Sequence, residues 1–267
     1  MARALTLLSP TDSPDAVDWK GLLAVTTSLG AICTDFYVNQ KVGLKLDLPT
    51  SRETILHLFD RIRRDLPQME RFLRYEEELA LESPDAEAHY HWLALGKTAI
   101  RSGWVNPASL PEAYHLHRTI LDLAPYYLSI SPLDVEFVEL LFGFDIETHR
   151  SAQEVVFDAL IDGSPLGGVV ETGREPVIEV QPVIGFALTR SANVRAYVEV
   201  KTRPEHRDGD RPEPEPISVY LTVRRTAPFE SIDDFSSVFG VLAGHAERLA
   251  EDRVIPNVVA PLREMAG

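Results

Sequence analysis

The residues best suited to chemistry lie in the short stretch Glu87-Ala88-His89-Tyr90-His91. Alternate side chains of a β-strand share one face, so Glu87, His89 and His91 would point the same way. Two imidazoles with this spacing can bind one divalent metal ion, and the carboxylate can serve as a third ligand or orient one of the histidines. The alternative is that both histidines lie at the exposed end of a half-buried strand, because such spacing without a family motif is a common accident.

A further metal ligand would have to come from another element, and His115 and His117 are the candidates. Both fall in a stretch with helical periodicity, where positions two apart diverge by roughly 200°. They cannot both reach one ion comfortably. We therefore expect His117 to be a core or boundary residue if it is not the additional ligand.

A second candidate site consists of outward-facing residues on two late strands. The periodicity places Val194, Ala196, Val198 and Val200 inward on one strand and Ile217, Val219, Leu221 and Val223 inward on the next. The opposite face then carries Arg195, Tyr197, Tyr220 and Arg224. Tyrosine and arginine are enriched at protein interfaces, so this face is a candidate contact surface, although a solvated sheet face has the same composition.

Composition excludes several classes of protein. A net charge of -15 argues against a nucleic-acid partner, because phosphate binding needs a concentrated Lys/Arg surface. The single cysteine, Cys33, excludes an internal disulfide and lies among apolar residues, where a buried inert thiol is expected. No apolar run approaches the length of a membrane span, so we expect no membrane association and a cytoplasmic protein. No cofactor motif is present, and only a divalent metal enters as a candidate.

Two stretches of the sequence are alike, and they organise the predicted fold. The segment from Leu44 to Pro67 matches the segment from Phe142 to Pro165, 98 residues later, without a gap. The matched pairs are Asp47/Asp145, Thr50/Thr148, Arg52/Arg150, Phe59/Phe157, Asp60/Asp158 and Pro67/Pro165. Each copy is an alternating strand, a polar turn and an amphipathic helix, and Thr50 with Glu53 has the form of a capping box at the first helix. We interpret the match as an internal duplication.

The predicted fold class is α+β, with two tandem β-α-β-β(-β)-α repeats, a mainly antiparallel sheet and helices packed on one side. Residues 1–20 are expected to be a leader with little regular structure, because prolines and Asp/Ser residues dominate it. The first repeat would span 21–131 and the second 132–267. Within the second, the proline-rich and charged stretch 202–216 is predicted to be a mobile loop.

The strand Leu140-Leu141-Phe142-Gly143-Phe144 and a C-terminal helix carrying Leu242, His245 and Met265 are the basis of a resemblance. They resemble parts of a sporadically distributed bacterial protein family to which no activity is assigned. The resemblance implies no catalytic residues.

These observations favour a non-enzymatic binding or assembly protein that acts through protein contacts or self-association. The partner would be another protein or further copies of the chain. Two alternatives remain open from the sequence. One is a metal-dependent enzyme centred on His89 and His91, and the other is a small-molecule sensor that binds between the two halves.

Overall fold

The computed structural model describes residues 29–84, 89–171, 173–202 and 215–267. The predicted leader (1–20) lies outside the described residues, as does Glu87. Of the predicted charged loop, residues 203–214 lie outside them too.

Nine strands form one sheet, and every strand pairing within the described residues is antiparallel. The predicted mixed α and β class with a mainly antiparallel sheet is confirmed. In chain order the strands are β1 (Asp35–Leu44), β2 (Arg71–Arg74), β3 (Leu79–Glu82), β4 (Tyr90–Leu95), β5 (Ala99–Val105), β6 (Val135–Thr148), β7 (Val183–Ala187), β8 (Val194–Thr202) and β9 (Glu215–Thr226). Their order across the sheet is β2-β3-β4-β5-β1-β6-β9-β8-β7.

Five α-helices lie between and after these strands in the described chain. They are α1 (Arg52–Asp65), α2 (Leu110–Tyr127), α3 (Ala152–Leu160), α4 (Asp234–Leu249) and α5 (Ala260–Ala266). A π-helical segment (Ala250–Val259) joins α4 to α5 without a break in helical backbone, although Pro256 lies within it and proline usually separates helices. Within the described part of the chain, no helix is both long and apolar enough to cross a lipid bilayer.

The middle of the sheet is the antiparallel pair β1 and β6. Phe36 lies opposite Phe144, and Val42 lies opposite Val138. On one side of this pair, β1 also pairs with β5, the last strand of the first half of the chain. On the other side, β6 pairs with β9, the last strand of the second half. The sheet is therefore continuous from one half of the chain to the other.

A single apolar cluster fills the space between the helices and one face of the sheet. Its strand residues include Phe36, Val38 and Phe142, and all five helices contribute buried side chains to it. Three phenylalanine rings pack together within it: Phe36 contacts both Phe142 and Phe144, with ring centroids 5.5 and 5.2 Å apart. Four buried residues that do not join this cluster lie on the other face of the sheet by strand register: Tyr37, Ala80, Ala94 and Tyr220. We call that second face the open face.

Three local sequence patterns predict elements that differ from the structure. Apolar spacing through Met69, Phe72 and Leu73 predicts a helical turn, but Phe72 lies in strand β2, which pairs with β3 along its length. The pattern from His89 to Ile100 predicts one strand, but a hairpin of β4 and β5 is present, closed by a hydrogen bond from the N–H of Gly96 to the carbonyl of Ala99. The alternation of apolar residues predicts a first strand that reaches Leu48, but the strand ends at Leu44 and Leu46 is 66% exposed.

Ser51, not Thr50, is the N-cap of α1. The Ser51 hydroxyl oxygen accepts a hydrogen bond from the backbone N–H of Thr54 at 3.2 Å, which satisfies one of the free donors of the first turn. Ser151 caps α3 in the same way, through the N–H of Glu154. The predicted capping box was therefore wrong by one residue.

We expect Ser51→Ala to lower the free energy of unfolding by about 1 kcal/mol, because the Thr54 N–H loses its acceptor. Thr50→Ala is the matched control, since its side chain does not cap the helix, and we expect a change of less than about 0.5 kcal/mol. Urea unfolding followed by circular dichroism measures both. A larger loss for Thr50→Ala than for Ser51→Ala would contradict the assignment.

Candidate functional site

The histidines of the predicted metal site occupy different surroundings. His91 lies in β4 on the helix-covered face, where its ring stacks on Trp104 with centroids 4.5 Å apart and planes at 29°. Burial lowers the pKa of His91 to about 4, so the ring is neutral at pH 7. The Nδ1 atom of His89 is hydrogen-bonded to the backbone carbonyl of Asn106.

Within the described ranges, no group of three His, Cys, Asp or Glu residues is arranged to hold a metal ion. Glu87 is outside those ranges, and the Nε2 atom of His91 has no hydrogen-bond partner among the residues inside them. The metal site at Glu87, His89 and His91 therefore stays a prediction.

His117 lies in α2 and is fully buried in a polar cluster between this helix and the sheet. Its Nδ1 atom lies 2.8 Å from the Ser102 hydroxyl oxygen, and its Nε2 atom lies 3.2 Å from the backbone carbonyl of Val38. Burial lowers the pKa of His117 to about 3, so the ring is neutral, Nε2 donates to the carbonyl and Nδ1 accepts from Ser102. A Ser–His pair can be a nucleophile and its base, but Ser102 is only 1% exposed and no substrate can reach it. The pair belongs to the core, and His115 on the same helix is exposed.

The predicted interaction residues all lie on the open face. Arg195 stands directly opposite Arg224, and Tyr197 lies one row away from Tyr220 on the neighbouring strand. Strand register extends their rows across the sheet into the first half of the chain, and three parallel rows result. The structure thus brings these four residues together, while their role in binding stays a prediction.

Each row contains one residue from each of seven neighbouring strands. The aromatic row is Trp92, Gly103, Asn39, Leu141, Thr222, Tyr197 and Gly185. The tyrosine row is Tyr90, Val105, Tyr37, Gly143, Tyr220, Glu199 and Val183. The basic row is Ala94, Arg101, Lys41, Glu139, Arg224, Arg195 and Ala187.

Glycines on the open face leave room for aromatic rings to lie against the sheet. Four glycines stand opposite an aromatic residue in the strand register, and a Cβ atom added to any of them would overlap or crowd that ring: Gly43 and Phe137, Gly103 and Trp92, Gly143 and Tyr37, Gly185 and Tyr197. Of these four rings Tyr37 is buried, whereas Phe137, Trp92 and Tyr197 are half-buried. The half-buried rings can stack on other planar or apolar groups.

The basic row concentrates positive charge on a protein that is strongly acidic overall. Lys41 stands opposite Arg101, and Arg224 stands opposite Arg195, two like-charge pairs of the kind that destabilise a sheet. Glu139 contacts Arg224 at 2.7 Å, and Glu78 forms an ion pair with Arg101. Among the described residues, neither Lys41 nor Arg195 forms an ion pair with a carboxylate, so these two cations are available to an anion on this face.

Cations and rings alternate along this surface. The Arg224 guanidinium lies 4.2 Å from the centroid of the Phe137 ring, and the Lys41 ammonium lies 5.5 Å from the same centroid. Lys201 lies 5.8 Å from the centroid of Tyr220. Such contacts hold the charged groups near the rings and only partly desolvate them.

The centre of the open face contains polar atoms with unused capacity. Burial, followed by the negative charge of Asp145, raises the pKa of Tyr37 well above its usual value, and its neutral hydroxyl donates to Asp145 at 3.1 Å. In the adjoining aromatic row, the side-chain carbonyl oxygen of Asn39 is buried and has no hydrogen-bond partner within the described chain. Because that oxygen is buried, a molecule bound on the open face does not reach it in this arrangement.

Only the second half of this face was predictable from the sequence. Tyr37, Asn39 and Lys41 alternate along β1, and Trp92 and Arg101 lie on β4 and β5, but their position beside Arg224 and Tyr197 depends on strand order. The sequence signal that could have placed the β1 residues on this face was the alternation of Tyr37, Asn39 and Lys41 with apolar residues.

The depressions found beside the sheet lie elsewhere. One is lined by residues of α3, including Phe157 and Asp158, together with the loop through Arg174, and the other lies between Val194 and α4. Both belong to the second half of the chain. The small-molecule sensor with a site between the halves stays a prediction.

No protein-family model and no curated protein matches the chain. The solved structures with some similarity include the crystal structure of the di-domain ARO/CYC BexL from the BE-7585A biosynthetic pathway. It is 8% identical, covers 86% of this chain and 98% of its own, and has a TM-score of 0.22. A similarity of this size supports no argument about function. The resemblance to a sporadically distributed bacterial family likewise stays a prediction.

Proposed function

We propose that this protein is a non-enzymatic binding protein that holds an acidic segment of a protein partner on its open face. The observation that carries the proposal is the basic row beside outward-facing rings. Charged groups of one sign steer a complementary partner, while aromatic side chains supply contact area with little loss of conformational freedom. The four interaction residues predicted from sequence, Arg195, Tyr197, Tyr220 and Arg224, form one end of this surface.

A short acidic peptide suits the face better than a nucleic acid does. The net charge of the whole chain is -15 with the basic row included, so the protein as a whole repels a long polyanion. A short acidic segment contacts only the basic row, and its apolar side chains can pack on rings such as Trp92 and Tyr197. The Lys41 and Arg195 side chains, which form no ion pair within the described chain, can pair with the carboxylates of that segment.

The Ser–His pair lies in the core, where it serves the structure, so it offers no support for a catalytic role. Ser102 and His117 satisfy each other without solvent access. Open sheet faces, in contrast, are common sites of recognition because they are rigid and already ordered.

We also infer that the two halves descend from one duplicated unit. In each half a long strand leads into a Ser-capped helix, and the last strand returns to pair with the first. The caps Ser51 and Ser151 are 100 residues apart, whereas the ungapped sequence match has an offset of 98, so the proposed duplication requires a relative insertion of two residues. Phe59 and Phe157, paired in that match, therefore occupy different helical positions.

The binding proposal is tested by titrating the full chain into fluorescein-labelled peptides and measuring anisotropy. The probes are short peptides that alternate glutamate with tryptophan or leucine, the same peptides with lysine in place of glutamate, and oligothymidylate. We expect binding of the acidic peptides alone, weakened by added salt. Equal binding of the lysine peptides, tighter binding of oligothymidylate or no binding of any acidic peptide would contradict the proposal.

The double variant Lys41→Gln/Arg195→Gln is expected to weaken acidic-peptide binding by about tenfold, because it removes the two cations that lack an ion pair. The matched control, Arg52→Gln/Lys97→Gln, removes two exposed cations away from the open face, and we expect a change below about twofold. Circular dichroism shows whether both remain folded. The same loss of affinity in both variants would place the binding elsewhere.

A further inference from the structure

The two edges of the sheet differ in how they are protected. At one edge, β2 begins and ends with exposed arginines, Arg71 and Arg74, and charged side chains discourage edge-to-edge pairing. At the other edge, β7 has the sequence Val-Ile-Gly-Phe-Ala and no charge. Val183 is 58% exposed and Ile184 is 65% exposed. An uncharged, apolar, uncovered edge strand is a ready template for another strand.

The backbone of β7 has free hydrogen-bonding groups along this edge. The N–H of Leu188 donates to the carbonyl of Val194, and the N–H of Val200 donates to the carbonyl of Pro182. Hydrogen-bonded pairs alternate along antiparallel strands, so even-numbered residues of β7 bond to β8. The residues whose backbone N–H and C=O groups point to the free edge are Val183, Gly185 and Ala187.

Further exposed apolar side chains lie in the segment of the chain that leads to β7. Leu166, Val169 and Ile178 are 62%, 73% and 86% exposed. Extensive exposed apolar surface is a mark of interaction sites.

We propose that β7 pairs antiparallel with the β7 of a second copy, about a twofold axis that passes through Gly185. In this register Gly185 faces its own counterpart, and Val183 faces Ala187 of the other copy. Val183, Gly185 and Ala187, whose backbone groups face the free edge, then all form hydrogen-bonded pairs with the other copy. Ile184 of each copy stands beside Phe186 of the other, a β-branched and aromatic pair of the kind that stabilises antiparallel sheets.

A second copy fits this edge better than an unrelated strand does, because the five-residue sequence is complementary to itself. Gly185 lies at its centre, with the larger residues Ile184 and Phe186 on either side, so the strand pairs with its own reversed copy as a twofold interface requires. The copies, each with a net charge of -15, meet through a strand without charge. This proposal does not depend on peptide binding to the open face.

The test measures the mass of the full chain in solution by light scattering over a wide range of concentration. We expect wild type to reach about twice 29.8 kDa as concentration rises. The variant Val183→Lys/Ile184→Lys places repelling charges on both sides of the axis and should remain monomeric. Leu133→Lys, which changes an 83% exposed leucine away from this edge, should dimerise as wild type does.

Amide hydrogen exchange supplies a second measurement that does not depend on any variant. In the dimer the amides of Val183, Gly185 and Ala187 should exchange at least about tenfold more slowly at high than at low concentration. The amide of Leu188 is bonded within the chain, so its exchange should depend much less on concentration. A wild type that stays monomeric, a charged double variant that still dimerises, or odd-numbered amides that are insensitive to concentration would each overturn the proposal.

Discussion

Lowering the pH from 6.5 towards 4 is expected to destabilise the folded protein by up to about 3 kcal/mol per pH unit, through His91 and His117. Burial lowers the pKa values of these rings to about 4 and about 3, from 6.5 in the unfolded chain. Above pH 6.5 the rings are neutral in both states and pH has no effect through them. Below it the unfolded chain takes up protons that the folded protein excludes, so the free energy of unfolding falls with pH until the folded pKa values are reached.

The variant His117→Gln isolates the larger of these contributions. We expect it to reduce the slope of unfolding free energy against pH by about 1.4 kcal/mol per unit between pH 6 and 4.5, whatever its effect on stability at neutral pH. His115→Gln, an exposed histidine on the same helix, should leave the slope unchanged. Urea unfolding at a series of pH values gives both slopes, and an unchanged slope in His117→Gln would show that the buried ring is not the source.

Replacing Gly143 by alanine is expected to lower the free energy of unfolding by about 2 to 3 kcal/mol. The new methyl group would overlap the ring of Tyr37, which lies against Gly143. That ring cannot move away freely, because it is buried and its hydroxyl donates to Asp145. The loss should be measurable by thermal or urea unfolding.

Gly240→Ala is the matched control for this substitution. Gly240 lies in α4 and no atom would meet its added Cβ within 4 Å. Alanine there should stabilise the protein by about 0.5 to 1 kcal/mol, because glycine is a poor helix former. Combining Gly143→Ala with Tyr37→Ser should recover part of the loss, because the smaller side chain makes room. Additive effects of these two substitutions would contradict the proposed overlap.

Local periodicity predicted most elements of the fold, because amphipathic patterns are set within a few residues. The helix that begins at Ala152 and the alternating strands β8 and β9 were found at nearly their observed bounds. Short elements failed where pairing decided the outcome, as at Phe72, whose stretch becomes a strand only because β3 lies beside it.

The candidate site was half predictable for the same physical reason. Arg195, Tyr197, Tyr220 and Arg224 lie on strands joined in one antiparallel pair, so alternation alone placed them on a shared face. Lys41 and Trp92 join them through strand order, which depends on contacts between residues far apart in sequence. The internal match indicated two alike halves but not that their first strands would pair with each other.

That central pairing of β1 with β6 determines how the molecule can move and be divided. The ladder joins residues about a hundred positions apart, so bending one half against the other would have to break it. A molecule that binds across both halves therefore meets side chains at fixed distances from each other. Its affinity would depend on how well its shape fits that rigid surface, and not on the closing of a hinge. Cutting the gene between the halves would leave each fragment with a long, bare apolar strand, and aggregation of the separated fragments is the consequence.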